Sequence, residues 1–437
     1  MSFRTALTGL NAANADLGVI SNNIANNNTT GFKQSRAEFG DIFSLSDLGT
    51  STRRSIGTGV KLNAVTQQFK QGNLDTTGNP LDLGLDGEGL FILRDGDVMK
   101  YTRAGGFGID KDGYIVNNTG QRLQGFASLG DAGFAAQTSD IFLDTKQNDA
   151  RATTKTLFGV NLDAGDVSPT ITPFDYVNPE SYNYSTSSTF YDSQGTSHTL
   201  TVYFVKDSGT PNSWTIYYGA DGKNPLGDPA ATPPVPPAVT PTNNTITFDS
   251  NGQIVKTLDH DSDPTTPNVF DPLDISVDLT ALDPNNGATN PLLMSLDFTG
   301  STQFGSKSST NSVTQDGFAS GRLVGVDVGE DGTIFGRYSN GQSKAQAMVA
   351  LANFRNKQGL SPVGDAAWVQ TAAAGEAIIG QPGTSSLGLV RSGALELSNV
   401  ELTEQLVKMI SAQRNFQANA QVISTSDQMT QTLLQIR

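Results

Sequence analysis

A chain of 437 residues is too long for one ordinary core and fits roughly three domains of about 150 residues each. Apolar residues make up only 36% and charged residues 16%, the remainder being rich in Gly (46 residues) and in Asn, Gln, Ser and Thr, so its cores must satisfy many uncharged polar groups. A net charge of −15 disfavours nucleic acid and anionic membrane surfaces, the absence of cysteine excludes disulfides, thiolate zinc sites and cysteine nucleophiles, and two histidines (His198 and His260) leave little material for a metal site or a Ser–His–Asp triad.

Asn and Ser interrupt every apolar run of Met1–Gly31, so it does not read as a cleaved signal, and no stretch approaches a membrane span. The chain is expected to start soluble and, if it leaves the cell, to use a route that reads no cleaved signal. The same segment carries a helical ladder, Phe3, Leu7, Leu10, Leu17 and Ile24, with Asn14 and Ser21 in the missing rungs. The Asn-rich run that follows, with Asn22, Asn23 and Asn26, has two readings. One is a helix end dissolving into turns before Gly31; the other is a hydrogen-bonding patch at a subunit contact. Residues 31–75 read as a linker.

From about Leu81 the texture changes to period-two runs separated by turn dipeptides, among them Asp95-Gly96, Asp112-Gly113, Asn251-Gly252, Asp331-Gly332 and Asn340-Gly341. Gly89–Leu93, Val98–Thr102, Tyr114–Asn117 and Arg122–Phe126 form one strand cluster. Thr199–Val205 and Ser213–Tyr218 form a strand pair, and Gly325–Val328 and Thr333–Tyr338 a hairpin. The Pro-rich stretch 225–241 and the Asp-rich stretch 259–272 decorate the central third with loops. The predicted class is mainly β and multidomain with terminal α-helical coiled-coil segments, in nested, discontinuous domains. Residues 1–30 and 396–437 form the helical domain, 76–145 and 301–395 an inner β domain, and 146–300 an outer β domain.

The C-terminal pattern is the stronger of the two ends. Leu402, Leu406, Met409, Gln413, Phe416, Ala420, Ile423, Asp427, Thr430 and Leu434 mark a heptad seam, and Ser398–Glu401 has the form of a capping box, so a helix is predicted from 399 to about 435. Its outward face carries Ser411, Asn415, Gln417, Asn419 and Gln421, where a solvated helix would carry Glu and Lys. Uncharged faces suit burial against other subunits. Self-association of the ends is favoured over two helices covering one core, and in isolation the ends are expected to be marginal helices.

Catalytic constellations are thin. Asp259–Asp263 alternates carboxylates like the start of a calcium loop, but Pro264 and Phe270 stand where Gly and Glu are needed, so a solvated loop is the better reading. No phosphate loop, nucleophile elbow or zinc-helix motif is present, so the chain is read as no enzyme, with no cofactor and no metal.

Two motifs carry a resemblance. Ser21-Asn22-Asn23-Ile24-Ala25-Asn26 with Thr29-Thr30-Gly31-Phe32-Lys33 resembles the N-terminal signature of the bacterial flagellar axial family of rod, hook and hook–filament junction proteins. Gly393–Val400, continuing into Met409–Phe416 with Gln413 and Asn415, looks like its C-terminal partner. Asp86–Phe126, including Tyr101-Thr102-Arg103, is similar to the β domain shared by rod and hook members, and Phe190–Lys206 to the middle domain of the hook branch. The resemblance implies a self-polymerising subunit of a flexible tube that transmits torque from rod to filament. It implies export through the flagellar type III apparatus to an extracellular site. The implied partners are further copies of itself, a hook cap, the distal rod protein and the junction protein, with neither nucleic acid nor membrane insertion. Phe3, Leu7, Leu10, Leu17, Ile24, Leu402, Leu406, Met409, Phe416 and Ile423 are the expected assembly residues. A distal rod protein would share the ends but lack the middle insertion; a β-rich adhesin would need exposed aromatics, for which Trp214 and Trp368 are the candidates.

Overall fold

The computed structural model describes residues 2–42, 57–222, 245–258, 273–277, 279, 287–384 and 386–435. The Pro-rich stretch 225–241 and the carboxylate cluster 259–263 lie outside the described residues. The chain divides into two compact units. One comprises Met1–Thr145, Val324–Arg337 and Ser343–Arg437; the other comprises Lys146–Leu323 and Tyr338–Gln342.

The first unit begins and ends with helices, α1 (Ser2–Ala25) and α2 (Leu402–Gln435). At 1.5 Å per residue α2 is about 51 Å long. α1 stops where Asn26 bonds back to the Asn22 carbonyl through both its amide (3.2 Å) and its side-chain nitrogen (2.9 Å). Gly31 then adopts φ +70°, a region favourable to glycine. α2 begins at Leu402, three residues later than the sequence predicts. The capping box does not form: the Ser398 hydroxyl accepts from the Val400 amide (3.4 Å), and Asn399 is engaged elsewhere. The expected linker 31–75 contains an antiparallel hairpin, β1 (Ser35–Ile42) and β2 (Gly59–Gln67), with a bulge at Glu38/Phe39.

The β body of this unit is built around strand Leu90–Asp95, which pairs with Val98–Thr102 on one side and Arg122–Ser128 on the other. Leu90 and Ile92 enter one core with Tyr101, Phe126, Met348, Phe354 and Trp368. Phe91 and Leu93 enter a second core with Leu83, Phe107, Ile115, Leu123, Val349 and Leu351. Because both faces of this strand are covered, it reads as an unbroken apolar run and not as an alternation. Gly96 (φ +61°) and Gly341 (φ +79°) supply turns at two of the dipeptides noted above. The two ends of the chain re-enter this body together. Leu74–Thr76 pairs with Ala394–Glu396, and Leu83–Asp86 pairs with Leu389–Ser392.

The second unit has two five-stranded sheets. Tyr184–Tyr191, Ser197–Lys206, Ser213–Ala220, Thr245–Phe248 and Ile254–Leu258 form an antiparallel meander. Lys155–Asp163 sits centrally in the other sheet. A single core joins Phe158, Val160 and Leu162 of one sheet to Phe190, Val202, Phe204, Trp214 and Ile216 of the other, as in a sandwich. The domain boundary expected at 300 lies elsewhere in the structure. Thr302–Phe304 and Ser309–Gln315 both pair with Lys155–Asp163, so the unit runs on to Leu323. Pairing across some 140 residues leaves no local mark, which is why the boundary was misplaced. The helices, expected as a domain of their own, belong to the same compact unit as the β body.

Candidate assembly surface and its stem

α1 and α2 run antiparallel. Near the β body the Asn23 side chain donates to Gln405 Oε1 (3.3 Å). Farther out a Cβ placed on Gly9 would lie 2.6 Å from Asn419 Oδ1. The buried positions are Ala6, Ala13 and Ile20 on α1 and Gln405 and Ala412 on α2, seven residues apart on each helix. Half-buried Asn419 and Ser426 continue that row. The pair therefore closes on a stripe of mostly small residues, which lets the backbones approach closely.

This corrects the sequence reading of the seam. The apolar ladder sits one position beside the buried stripe and is not what joins the two helices of one chain. Phe3 is 46% exposed, Leu7 42%, Leu402 43% and Leu406 45%. Leu10, Leu17, Ile24, Met409, Phe416 and Ile423 are half-buried. Val407, Ile410, Val422 and Met429 are exposed as well, and periodicity alone did not single them out. Large apolar side chains left open in a row amount to a surface that lacks its covering partner.

The polar signature residues separate into two groups. Asn23 is buried and works within the chain: its Nδ2 donates to the Ser35 carbonyl and its Oδ1 accepts from the Ser35 amide, both at 2.8 Å. The subunit-contact reading is thus wrong for Asn23. Asn26 takes part in the turn that ends α1 and accepts from the Thr29 hydroxyl at 3.1 Å. Asn22, Gln413 and Asn415 are exposed.

Where the helices meet the β body lies a charged cluster that the sequence reading did not identify. Glu396 is fully buried, Lys33 is 1% exposed and Arg103 3%. Glu396 Oε1 accepts from Lys33 Nζ (2.5 Å) and from the Gly72 amide (2.8 Å), and Oε2 accepts from Arg103 Nη1 (2.9 Å). Two cations face one carboxylate, and carbonyls absorb the excess charge. Lys33 also donates to the Lys70 carbonyl at 2.8 Å, and Arg103 to the carbonyls of Leu85 and Gly87. Burial pushes Lys33 and Arg103 down from their usual values, and Glu396 opposes that shift for both. Beside the cluster the Asn399 side chain accepts from the Gln34 amide and donates to the Gln68 and Lys70 carbonyls, at 2.8 to 2.9 Å. All three charged residues lie inside the motifs quoted above. Their pairing was hidden because Glu396 stands 363 positions from Lys33 and 293 from Arg103.

Trp214 and Trp368 are buried, so neither offers the exposed ring an adhesin would need.

Four family profiles match the chain in order. They are the flagellar basal body rod protein (residues 3–33), the flagellar hook protein FlgE/F/G D1 domain (84–163), the flagellar basal body protein FlaE D2 domain (161–318) and the flagellar basal body rod FlgEFG protein C-terminal region (391–436). Over its whole length the chain is 37% identical to the flagellar hook protein FlgE of Escherichia coli K12 and 38% identical to that of Salmonella typhimurium, covering all of both relatives. It is 33% identical to the hook protein of Borreliella burgdorferi, covering 99% of that relative. With identity above 30% carried from end to end, this chain belongs to the flagellar hook protein family.

Proposed function

We propose that this hook-family subunit polymerises through the open face of its helix pair, which copies of the same chain cover in a tube. The observation that carries this reading is the division of labour on α1 and α2. The small-residue stripe closes the pair within one chain, and the large apolar ladder remains outside it. Covering one Leu or Phe contributes about 1.5–3 kcal/mol, so the ladder offers ample driving force for assembly. In this reading the ladder residues pack as a multi-subunit coiled coil, and Asn22, Gln413 and Asn415 make polar contacts between copies. The tube carries torque from rod to filament and bends as it turns. Its subunits travel through the flagellar export apparatus without a cleaved signal to an extracellular position, and meet the cap, the distal rod and the junction proteins. The unit Lys146–Leu323, which a distal rod protein would lack, favours the hook over the rod.

The test is a charge on the ladder. Purified Leu7→Glu/Leu406→Glu protein should keep its monomer melting curve and form no tubes under salting-out conditions that give tubes for the parent chain, as seen in negative stain. Tubes of parental yield from the double variant would sink the proposal.

A further inference from the structure

The helix pair joins the β body through two irregular stretches, residues 26–34 and 397–401, neither of which is stiff alone. Yet both are pinned at one point. Gly31 donates its amide to the Glu396 carbonyl (2.8 Å), Leu397 donates to the Asn73 carbonyl (2.8 Å), and the side chain of Glu396 gathers Lys33, Gly72 and Arg103. Backbones converge here with no space between them. A Cβ on Gly31 would lie 2.4 Å from the Ala104 nitrogen, one on Gly72 2.1 Å from the Leu397 carbonyl oxygen, and one on Gly105 1.7 Å from the Leu83 carbonyl oxygen. Among the described residues, these are the only Lys or Arg ion pairs in which both side chains are at most 3% exposed.

Stability alone does not call for such a cluster, because well-packed apolar residues of similar volume often serve as well without the desolvation cost. What fixed charges add is direction, since each donor has one geometry at one carboxylate. We propose that Glu396 is a positioning residue that locks the helix pair to the β body, so that in the hook reading torque passes between them without a hinge at the stem. Bending of the tube is then confined to other parts of the subunit. The lock belongs to a single chain, so it can be tested without assembly, and its failure is distinct from failure of the hook reading.

The chain has no native cysteine, which makes site-specific labelling clean. Spin labels at Val407→Cys on α2 and Lys111→Cys on the body report their separation in the full-length monomer. Hydrogen exchange is followed at Gly31, Gly72 and residues 397–401. The parent should give one narrow distance distribution. Glu396→Gln should broaden it and raise exchange at the stem amides at least tenfold, with strand Leu90–Asp95 unchanged. A broad distribution in the parent, an unchanged one in Glu396→Gln, or a uniform rise in exchange across the whole unit would each overturn the proposal. If Glu396→Gln does not fold, Lys33→Met, which leaves the Arg103–Glu396 pair, serves with the same readouts. The apolar variant Lys33→Met/Glu396→Leu/Arg103→Met separates charge from packing: a narrow distribution there assigns the stiffness to packing and overturns the lock.

Discussion

The helix pair and the sandwich of residues 146–323 use opposite construction rules. In the sandwich the large side chains (Phe158, Phe190, Phe204 and Trp214) are fully buried in one core shared by two sheets. In the helix pair the buried stripe is mostly Ala, with one Ile and a Gln, and the large side chains stand outside it. A region that buries its own apolar surface is stable by itself; a region that leaves that surface open is completed by copies. The sandwich is therefore suited to be a fixed body and the helix pair to be a joining element.

The contrast can be broken most severely in the sandwich. Trp214→Ala removes its largest buried side chain, along with the Nε1 donor to Gln303 (3.3 Å), and should destabilise that unit by about 3–5 kcal/mol. Urea unfolding followed by far-ultraviolet circular dichroism should show the loss, while exchange in α1 and α2 stays parental. Ala412→Leu attacks the helix pair from inside and should cost about 1–3 kcal/mol by forcing the close-packed stripe apart, read as faster amide exchange along α1. Leu406→Ala is the sharpening case. Half of that side chain is already in solvent, so monomer stability should move by no more than about 0.5 kcal/mol, yet the protein concentration needed for assembly should rise. A large monomer effect would mean that the ladder packs within the chain after all.

The smallest effect concerns acid. Burial alone would raise the Asp316 carboxyl, but hydrogen bonds from the Thr154 hydroxyl and the Lys155 and Thr154 amides prevail and hold it below its ordinary value of 3.8. A carboxyl lowered on folding contributes stability above its unfolded value and loses it as pH falls through the folded one. Asp316→Asn should thus be less stable than the parent at pH 7, and the gap in urea midpoint should close below about pH 4. A gap that stayed constant down to pH 2 would show that the carboxylate charge contributes nothing.

Hairpins punctuated by Asp-Gly and Asn-Gly, the strands between them and both terminal helices were legible in the chain because each rests on local signals: turn dipeptides, alternation, and a repeat of three and four. The apolar ladder was legible too, as was its want of a single-domain core. Which of two neighbouring stripes would close the pair was not. Ala6, Ala13 and Ala412 carry no hydrophobic signal to rival Leu7 or Leu406, and only the close approach of two backbones makes them the better fit. The same limit hid the cluster at the stem. A lysine, an arginine and a glutamate in three separate motifs are ordinary surface residues until tertiary structure brings them within hydrogen-bonding distance and takes the water away. Period and turn chemistry are written in adjacent residues; charge pairing and the choice of packing stripe depend on residues hundreds of positions apart, and the folded chain alone decides them.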